Sequence, residues 1–375
     1  MSNNLVSSII ILLVLASSLM GQTYTSVAYK YANVRFPGAM LTIANGINNG
    51  DVIVGSFFDS NSSVHGFVYR KGKYVQVDYP GSTETEILGI NDNGALVGTY
   101  QVPGPLNFHG FLWQDGNFTN IDEPQAQFGT KVFGINKAGT MVGSLDDTHG
   151  FILKDDSFTI FDAPSPSGTQ ASTQLNGISN LGWVSGQVLS GGSWRGFWFK
   201  GGDLDFLEKQ GASDNQVTGM NGRGDIVGCH DAMSGFVSFR VETGEAHENG
   251  EAFPRQQNLA SCPSGINYAR VVVGNYFRIN QPAAFIAVPQ LTLNVVGPRD
   301  HSVVSTPLQF LASASGINPL QEIQLWVNSK KVSFAKGATL NRKVALPAGA
   351  NERVVVQAID SKGTKAKVVL VLTVQ

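Results

Sequence analysis

One phrase, Gly-Ile-Asn or a close variant, returns six times along this chain. The copies are Gly46-Ile47-Asn48, Gly89-Ile90-Asn91, Gly134-Ile135-Asn136, Gly177-Ile178-Ser179, Gly219-Met220-Asn221 and Gly265-Ile266-Asn267. Successive copies start 43, 45, 43, 42 and 46 residues apart. Each leads within a few residues to Val-Gly or a similar pair: Val54-Gly55, Val97-Gly98, Val142-Gly143, Ser185-Gly186, Val227-Gly228 and Val273-Gly274. An interval of about 40–45 residues is the length of one four-stranded propeller blade. The third copy predicts its strands at 131–136, 140–144, 148–153 and 158–161, where β-branched or alternating residues fill each run and Gly, Asp or Pro marks each break. No stretch carries useful helical periodicity, which excludes helical solenoids.

The sixth copy runs out after its third strand, near Phe285 and Ile286. Tyr29 to Phe36, ending in Phe36-Pro37-Gly38, resembles the fourth strand of a repeat, such as Tyr74 to Tyr79 before Pro80-Gly81, yet precedes the first copy. Pairing it into the last repeat would remove two exposed sheet edges. The expected architecture over residues 27–288 is therefore a six-bladed β-propeller closed by an N-terminal strand. Cys229 should follow the second strand of the fifth repeat and Cys262 should precede the first strand of the sixth. Both loops open on one face, so the reading is a disulfide, with two buried thiols as the alternative.

His65-Gly66-Phe67, His109-Gly110-Phe111 and His149-Gly150-Phe151 each carry an acid thirteen residues on: Asp78, Asp122 and Asp162. The midpoints, Lys71-Gly72, Asp115-Gly116 and Asp155-Asp156, suit two-residue hairpin loops. That symmetry sets each His opposite its Asp across an antiparallel pair. In the fourth repeat Arg195 faces Glu208 around Gly201-Gly202. A pair placed once per blade around a ring does not converge on one substrate, and acid–base catalysis by a triad needs a nucleophile beside the histidine. The pairs are read as register-setting cross-strand hydrogen bonds.

The Gly-Ile-Asn and Val-Gly phrase, the His-Gly-Phe tripeptide and the Asp-x-Pro that follows resemble the extracellular repeat family called HAF, after its His-Ala-Phe motif. Gly66, Gly110 and Gly150 take the Ala position, and Ser234 and Ala283 stand in the His position of the last two repeats. The resemblance covers roughly residues 27–287. It implies a bacterial secreted protein, and supplies no catalytic residues.

Beyond Leu291 the phrase stops. Apolar runs at 291–296, 308–314, 323–327, 340–346, 354–358 and 366–374 predict an immunoglobulin-like β-sandwich over residues 290–375, with Ile323, Leu325 and Val327 on one face and Gln324 and Trp326 on the other. The segment is similar to Ig-like modules appended to bacterial exported proteins, which implies a spacer or adhesive role.

Charge separates along the chain. From Gln290 onward ten Lys or Arg stand against four Asp or Glu, leaving sixteen against twenty-four before it. The acidic part is unsuited to nucleic acid, which needs clustered Lys and Arg. Ile9 to Ala16 is apolar and leads to Ser17, Ser18 and Gly21, so residues 1–21 read as a signal peptide, although Met1 to Val6 holds no Lys or Arg. The run is too short for a stable span, and a retained membrane anchor is the alternative reading. The expectation is a secreted or cell-surface protein without a membrane span after cleavage.

In a propeller, loops at one mouth of the channel collect function. The second-to-third-strand loops are expected to offer Asp59, Asn61, Asp146, Asp147, Trp194, His230 and Asp231, suited to a sugar or a cation. There is no Cys-x-x-Cys, no His-Glu-x-x-His and no calcium-loop pattern, so neither a metal nor a cofactor is expected. Three readings follow: a binding or adhesion protein for an extracellular glycan or envelope component; a carbohydrate-active hydrolase or lyase using Asp146, Asp147 or Asp231; and a structural surface protein.

Overall fold

The computed structural model describes residues 22–103, 108–165, 171–207, 214–230, 234–238, 251–252, 261–276 and 284–375. Among these residues every regular element is a β-strand, and the arrangement is propeller-like. The chain divides into two compact units, Tyr31–Val288 and Pro289–Gln375, the second including the described residues through Lys30. Residues 1–21 of the expected signal peptide lie outside the described residues.

Each repeat of the larger unit is an antiparallel meander. The first comprises Leu41–Ile47, Ile53–Phe58, Val64–Arg70 and Lys73–Gln76, paired in that order. The third comprises Thr130–Ile135, Met141–Leu145, His149–Lys154 and Ser157–Phe161, each end within one residue of its predicted place. The hairpin loops behave as their sequences require. Lys71-Gly72, Asp115-Gly116, Asp155-Asp156 and Gly201-Gly202 all have positive φ at both positions, the signature of a type I′ turn.

In the sixth repeat Ser261–Ile266 and Val272–Tyr276 are followed by Ala284–Gly297, and the N-terminal strand Gln22–Val34 pairs with that third strand. The N-terminal strand starts earlier than Tyr29 and stops short of Phe36. There the chain turns: the Phe36 N–H donates to Thr42 Oγ1 at 3.0 Å, and its ring stacks on Phe57 at 3.7 Å. The run 291–296, expected as a separate strand, is the second half of Ala284–Gly297.

One packing element recurs through the larger unit. Phe67, Phe111, Phe151, Phe197 and Phe285, one residue from each of five third strands, are all 0% exposed. Each ring lies over the glycine of the second strand. A Cβ built on Gly55, Gly98, Gly143, Gly186 or Gly274 would meet its ring at 2.9, 2.9, 2.7, 2.7 and 2.6 Å respectively. Burying one such ring stabilises by roughly 1.5–3 kcal/mol, provided the glycine leaves room for it.

Cys229 and Cys262 form a disulfide with Cα atoms 5.2 Å apart. Both lie inside strands, Ile226–His230 and Ser261–Ile266, rather than flanking them as the sequence suggested.

The smaller unit has two sets of paired strands. One runs Ala284–Gly297, Leu308–Gly316, Thr339–Val344; the other runs Val303–Val304, Lys365–Val374, Gly349–Asp360, Leu320–Val327, Lys330–Lys336. Leu293, Phe310, Ile323, Leu325, Val356 and Leu370 from both sets share one core. On the opposite face of Leu320–Val327, Trp326 Nε1 donates to Gln324 Oε1 at 2.9 Å. The edge strand Lys330–Lys336 was not anticipated. Its alternation points Val332 and Phe334 outward, 42% and 49% exposed, between lysines.

The ring-on-glycine contact makes a testable claim. Gly98→Ala places a methyl into the Glu86 carbonyl and the Phe111 ring and should cost at least about 1–3 kcal/mol. Gly94→Ala has open space and only a positive φ of 87° against it, so it should cost about 1–2 kcal/mol. Urea midpoints should rank Gly98→Ala well below Gly94→Ala, and equal losses would sink the packing account.

Candidate functional site

The first strand of every repeat contains a β-bulge just before the glycine of the repeated phrase. Pairing with the second strand skips from Ala44 to Gly46, Ile87 to Gly89, Val132 to Gly134, Leu175 to Gly177, Val217 to Gly219 and Pro263 to Gly265. A bulge leaves one residue unpaired and re-aims its side chain. The skipped residues are Asn45, Leu88, Phe133, Asn176, Thr218 and Ser264. All six line one cavity of about 310 Å³ in the larger unit.

The glycine after each bulge lets the first strands approach closely. A Cβ on Gly89 would lie 2.7 Å from the Phe133 carbonyl, and one on Gly219 would lie 2.5 Å from the Ser264 carbonyl. A Cβ on Gly265 would lie 3.1 Å from Gly46 Cα, so contact passes from the sixth repeat back to the first.

Four of the bulge residues are polar, and each donates to a backbone carbonyl of the next repeat. Asn45 Nδ2 reaches the Ile87 oxygen at 2.9 Å and Asn176 Nδ2 the Val217 oxygen at 2.5 Å. Thr218 Oγ1 reaches the Pro263 oxygen and Ser264 Oγ the Ala44 oxygen, both at 2.5 Å. Leu88 and Phe133, neighbours around the ring, supply an apolar wall. Gln187 also lines the cavity. It is 7% exposed, and its Nε2 donates to Gln174 Oε1 at 2.9 Å, while its own Oε1 has no partner. A buried acceptor left so costs about 1–3 kcal/mol. No charged residue is among the described residues lining this cavity.

Beyond the phrase glycines lies a second ring, made by the asparagines. The Oδ1 of Asn48 accepts from the N–H groups of Gly50 and Val52 at 2.9 and 3.0 Å, which closes its own turn. Its Nδ2 donates to the Asn91 carbonyl at 3.0 Å. The same donation runs from Asn91 to Asn136, from Asn136 to Ser179, from Asn221 to Asn267 and from Asn267 back to Asn48. Ser179 keeps the turn-closing role through Oγ, 3.0 Å from the Trp183 N–H, but has no amide with which to reach Asn221. The sequence flagged the phrase without giving its asparagine a role; the signal was a side chain that accepts locally and donates one repeat onward. A smaller cavity of about 50 Å³ lies against this ring, with Asp92 among its lining residues.

The His–Asp pairs stand as cross-strand hydrogen bonds. His65 Nδ1 lies 2.9 Å from Asp78 Oδ2, His109 Nδ1 2.7 Å from Asp122 Oδ2 and His149 Nδ1 2.9 Å from Asp162 Oδ2. The second oxygens of Asp78 and Asp122 accept the N–H groups of Gly66 and Gly110 at 3.1 and 3.2 Å. His109 also stacks on Tyr100, which stacks on Tyr79 with ring centres 3.6 Å apart. Arg195 lies in the strand Ser193–Lys200, and its expected partner Glu208 lies outside the described residues.

Of the loop residues proposed from sequence, those among the described residues do not line either cavity. Asp59 holds its own loop, accepting from the N–H groups of Asn61 at 2.8 Å and Ser63 at 2.9 Å, and the Ser63 bond above all holds its carboxyl below the usual range. Asp146 accepts from the N–H groups of Gln127, Phe128 and Gly129 at 3.0, 2.6 and 3.0 Å. Burial pushes its carboxyl upward, but these bonds outweigh that and keep it below its ordinary 3.8. Asp147 pairs with Lys131 Nζ at 2.9 Å. Trp194 and His230 fall inside strands rather than loops, because Gly191-Gly192 turns the chain in two residues and Ile226–His230 runs one residue past Cys229. Asp231 lies outside the described residues. No group of three or more His, Cys, Asp or Glu that could hold a metal occurs among the described residues.

No protein-family model matches this chain, and no curated protein matches it. Among solved structures it is similar to the extracellular domain of BT4673 from B. thetaiotaomicron, at 11% identity and a TM-score of 0.42, over 89% of this chain and 52% of that one. It spans about half of that chain. It is also similar to YCF48 bound to D1 peptide, at 11% identity and a TM-score of 0.37, over 69% of this chain and 96% of that one. A mutant of AofleA from Arthrobotrys oligospora aligns at 12% identity and a TM-score of 0.38, over 86% of this chain and 94% of that one.

Two measurements probe these assignments. Ser179→Asn supplies the amide the asparagine ring lacks at Asn221. It should add about 0.5–1.5 kcal/mol and raise Tm by a few degrees, whereas a fall would show the ring bonds to be incidental. Asp146 has a folded-state pKa below its unfolded value, so its stabilisation is present above pH 3.8 and lost as pH falls through the folded value. Asp146→Asn should therefore be less stable than the parent at pH 7, with the gap closing in urea titrations below pH 3.8; a gap independent of pH would contradict the charge-based account.

Proposed function

We propose that this is an exported, non-enzymatic binding or adhesion protein: a six-bladed β-propeller closed by its N-terminal strand, carrying an Ig-like β-sandwich as spacer. The repeated-sheet topology, the contacts that return from Gly265 to Gly46, and the resemblance to HAF repeats support the propeller. The two strand sets around one core support the sandwich. The disulfide suits an oxidising compartment, and the apolar run Ile9 to Ala16 suits a cleaved signal. No helix among the described residues is long and apolar enough to cross a membrane.

One observation carries the functional reading. The cavity that all six repeats build combines polar side chains with an apolar wall and holds no charge among its described lining residues, while Asp59 and Asp146 hold loops and Asp147 pairs with Lys131. A hydrolase of glycosides needs two carboxyl groups facing one bond, one of them able to donate a proton. A carboxylate held ionised by three N–H groups is a poor proton donor. Asp146 thus favours recognition over cleavage, and an extracellular glycan or envelope component is the ligand class proposed.

Glycan-array and envelope pull-down assays on the mature chain, run beside polysaccharide-cleavage assays, test this. Capture without turnover is expected. Turnover abolished by Asp146→Asn and Asp147→Asn would establish the hydrolase or lyase reading instead, and blank arrays with blank pull-downs would remove the binding reading.

A further inference from the structure

The chemistry left facing the cavity selects a ligand. Asn45, Asn176, Thr218 and Ser264 have each committed a donor to a neighbouring carbonyl. Each asparagine keeps its amide oxygen and a second N–H, and each hydroxyl keeps its lone pairs. Gln187 lines the cavity beside them, but its partnerless oxygen is buried out of a ligand's reach. The polar arc therefore offers more acceptors than donors. Opposite it stand Leu88 and Phe133, adjacent and half-buried.

A ligand that fits must bring several donors on one edge and an apolar surface on another. It must also be uncharged or nearly so, because no described residue lining the cavity could neutralise it. An anion would meet mostly acceptors and no positive charge among those residues. A single desolvated cation is far smaller than a cavity of about 310 Å³, which sits at the lower end of the range for small-molecule sites. A pyranose ring has these properties together: hydroxyl donors around its rim and a C–H face that lies against an aromatic ring.

We infer that the axial cavity binds one neutral sugar ring, its hydroxyls donating to Asn45, Asn176, Thr218 and Ser264 and its C–H face against Phe133 and Leu88. This rests on the binding reading above and names its ligand class and its place.

The test uses the full mature chain, with D-glucose, D-galactose and D-mannose and the uronic acid of each as probes, followed by calorimetry and saturation-transfer NMR. At least one hexose should bind, and its uronic acid should bind at least tenfold more weakly. Phe133→Ala should weaken the hexose about tenfold, and Asn176→Leu by a similar factor, one hydrogen bond's worth. Phe133 is half-buried, so its variant keeps the test alive if Asn176→Leu fails to fold. Binding unchanged in Phe133→Ala, or a uronic acid preferred over its hexose, would overturn the inference. If no hexose binds but envelope material is still captured, and Phe133→Trp abolishes the capture, the sugar assignment falls while the binding reading survives. If capture also fails, both fall.

Discussion

The seat of a phenylalanine ring on a glycine governs the larger unit. In five described repeats the third-strand ring covers the second-strand glycine, and the same glycine faces the bulged first strand: a Cβ there would strike both the ring and the first-strand carbonyl. Three strands are thereby locked by one residue that must lack a side chain and one that must fill the gap. The bulge is the counterpart of this contact. It offsets the first strand by one residue, which turns the extra side chain away from the sheet. The cavity exists because the core is packed this way.

Much of this could be read from residues alone, and the reasons are local. Asp115-Gly116 and Gly201-Gly202 announce their turns because few other dipeptides accept positive φ twice. His109 and Asp122 announce their pairing because a hairpin of known turn fixes register. Ser190–Ser193 escaped because Gly191-Gly192 shortens that repeat's loop, which carried Trp194 into a strand. Lys330–Lys336 escaped because its apolar residues Val332 and Phe334 point outward and small residues alternate with them, so no strongly buried face marks it.

The cavity was not legible for a physical reason. A bulge is invisible in a run such as Ile87-Leu88-Gly89, whose residues would alternate normally in an unbroken strand. The acidic loops attracted attention instead, since charge near a propeller mouth suggests chemistry. Asp146 shows what else a loop acid can do. A short acid beside a turn of three free N–H groups is bound first by its own backbone, and little of its reactivity is left for a substrate.

The internal repeat also separates architecture from recognition. The phrase glycine is kept in all six copies because the first strands meet there, and the asparagine in five because it closes a turn and reaches the next repeat. The bulge residue just before that glycine neither closes the turn nor has to lack a side chain, and it is where the copies diverge: Asn45, Leu88, Phe133, Asn176, Thr218 and Ser264. Six copies of one side chain would make a cavity with rotational symmetry, suited to a symmetric guest. Here an apolar pair stands against four polar residues, and Gln187 deepens the polar side. An asymmetric lining on a symmetric frame gives a ligand one orientation. That places specificity in the bulges and stability in the glycines.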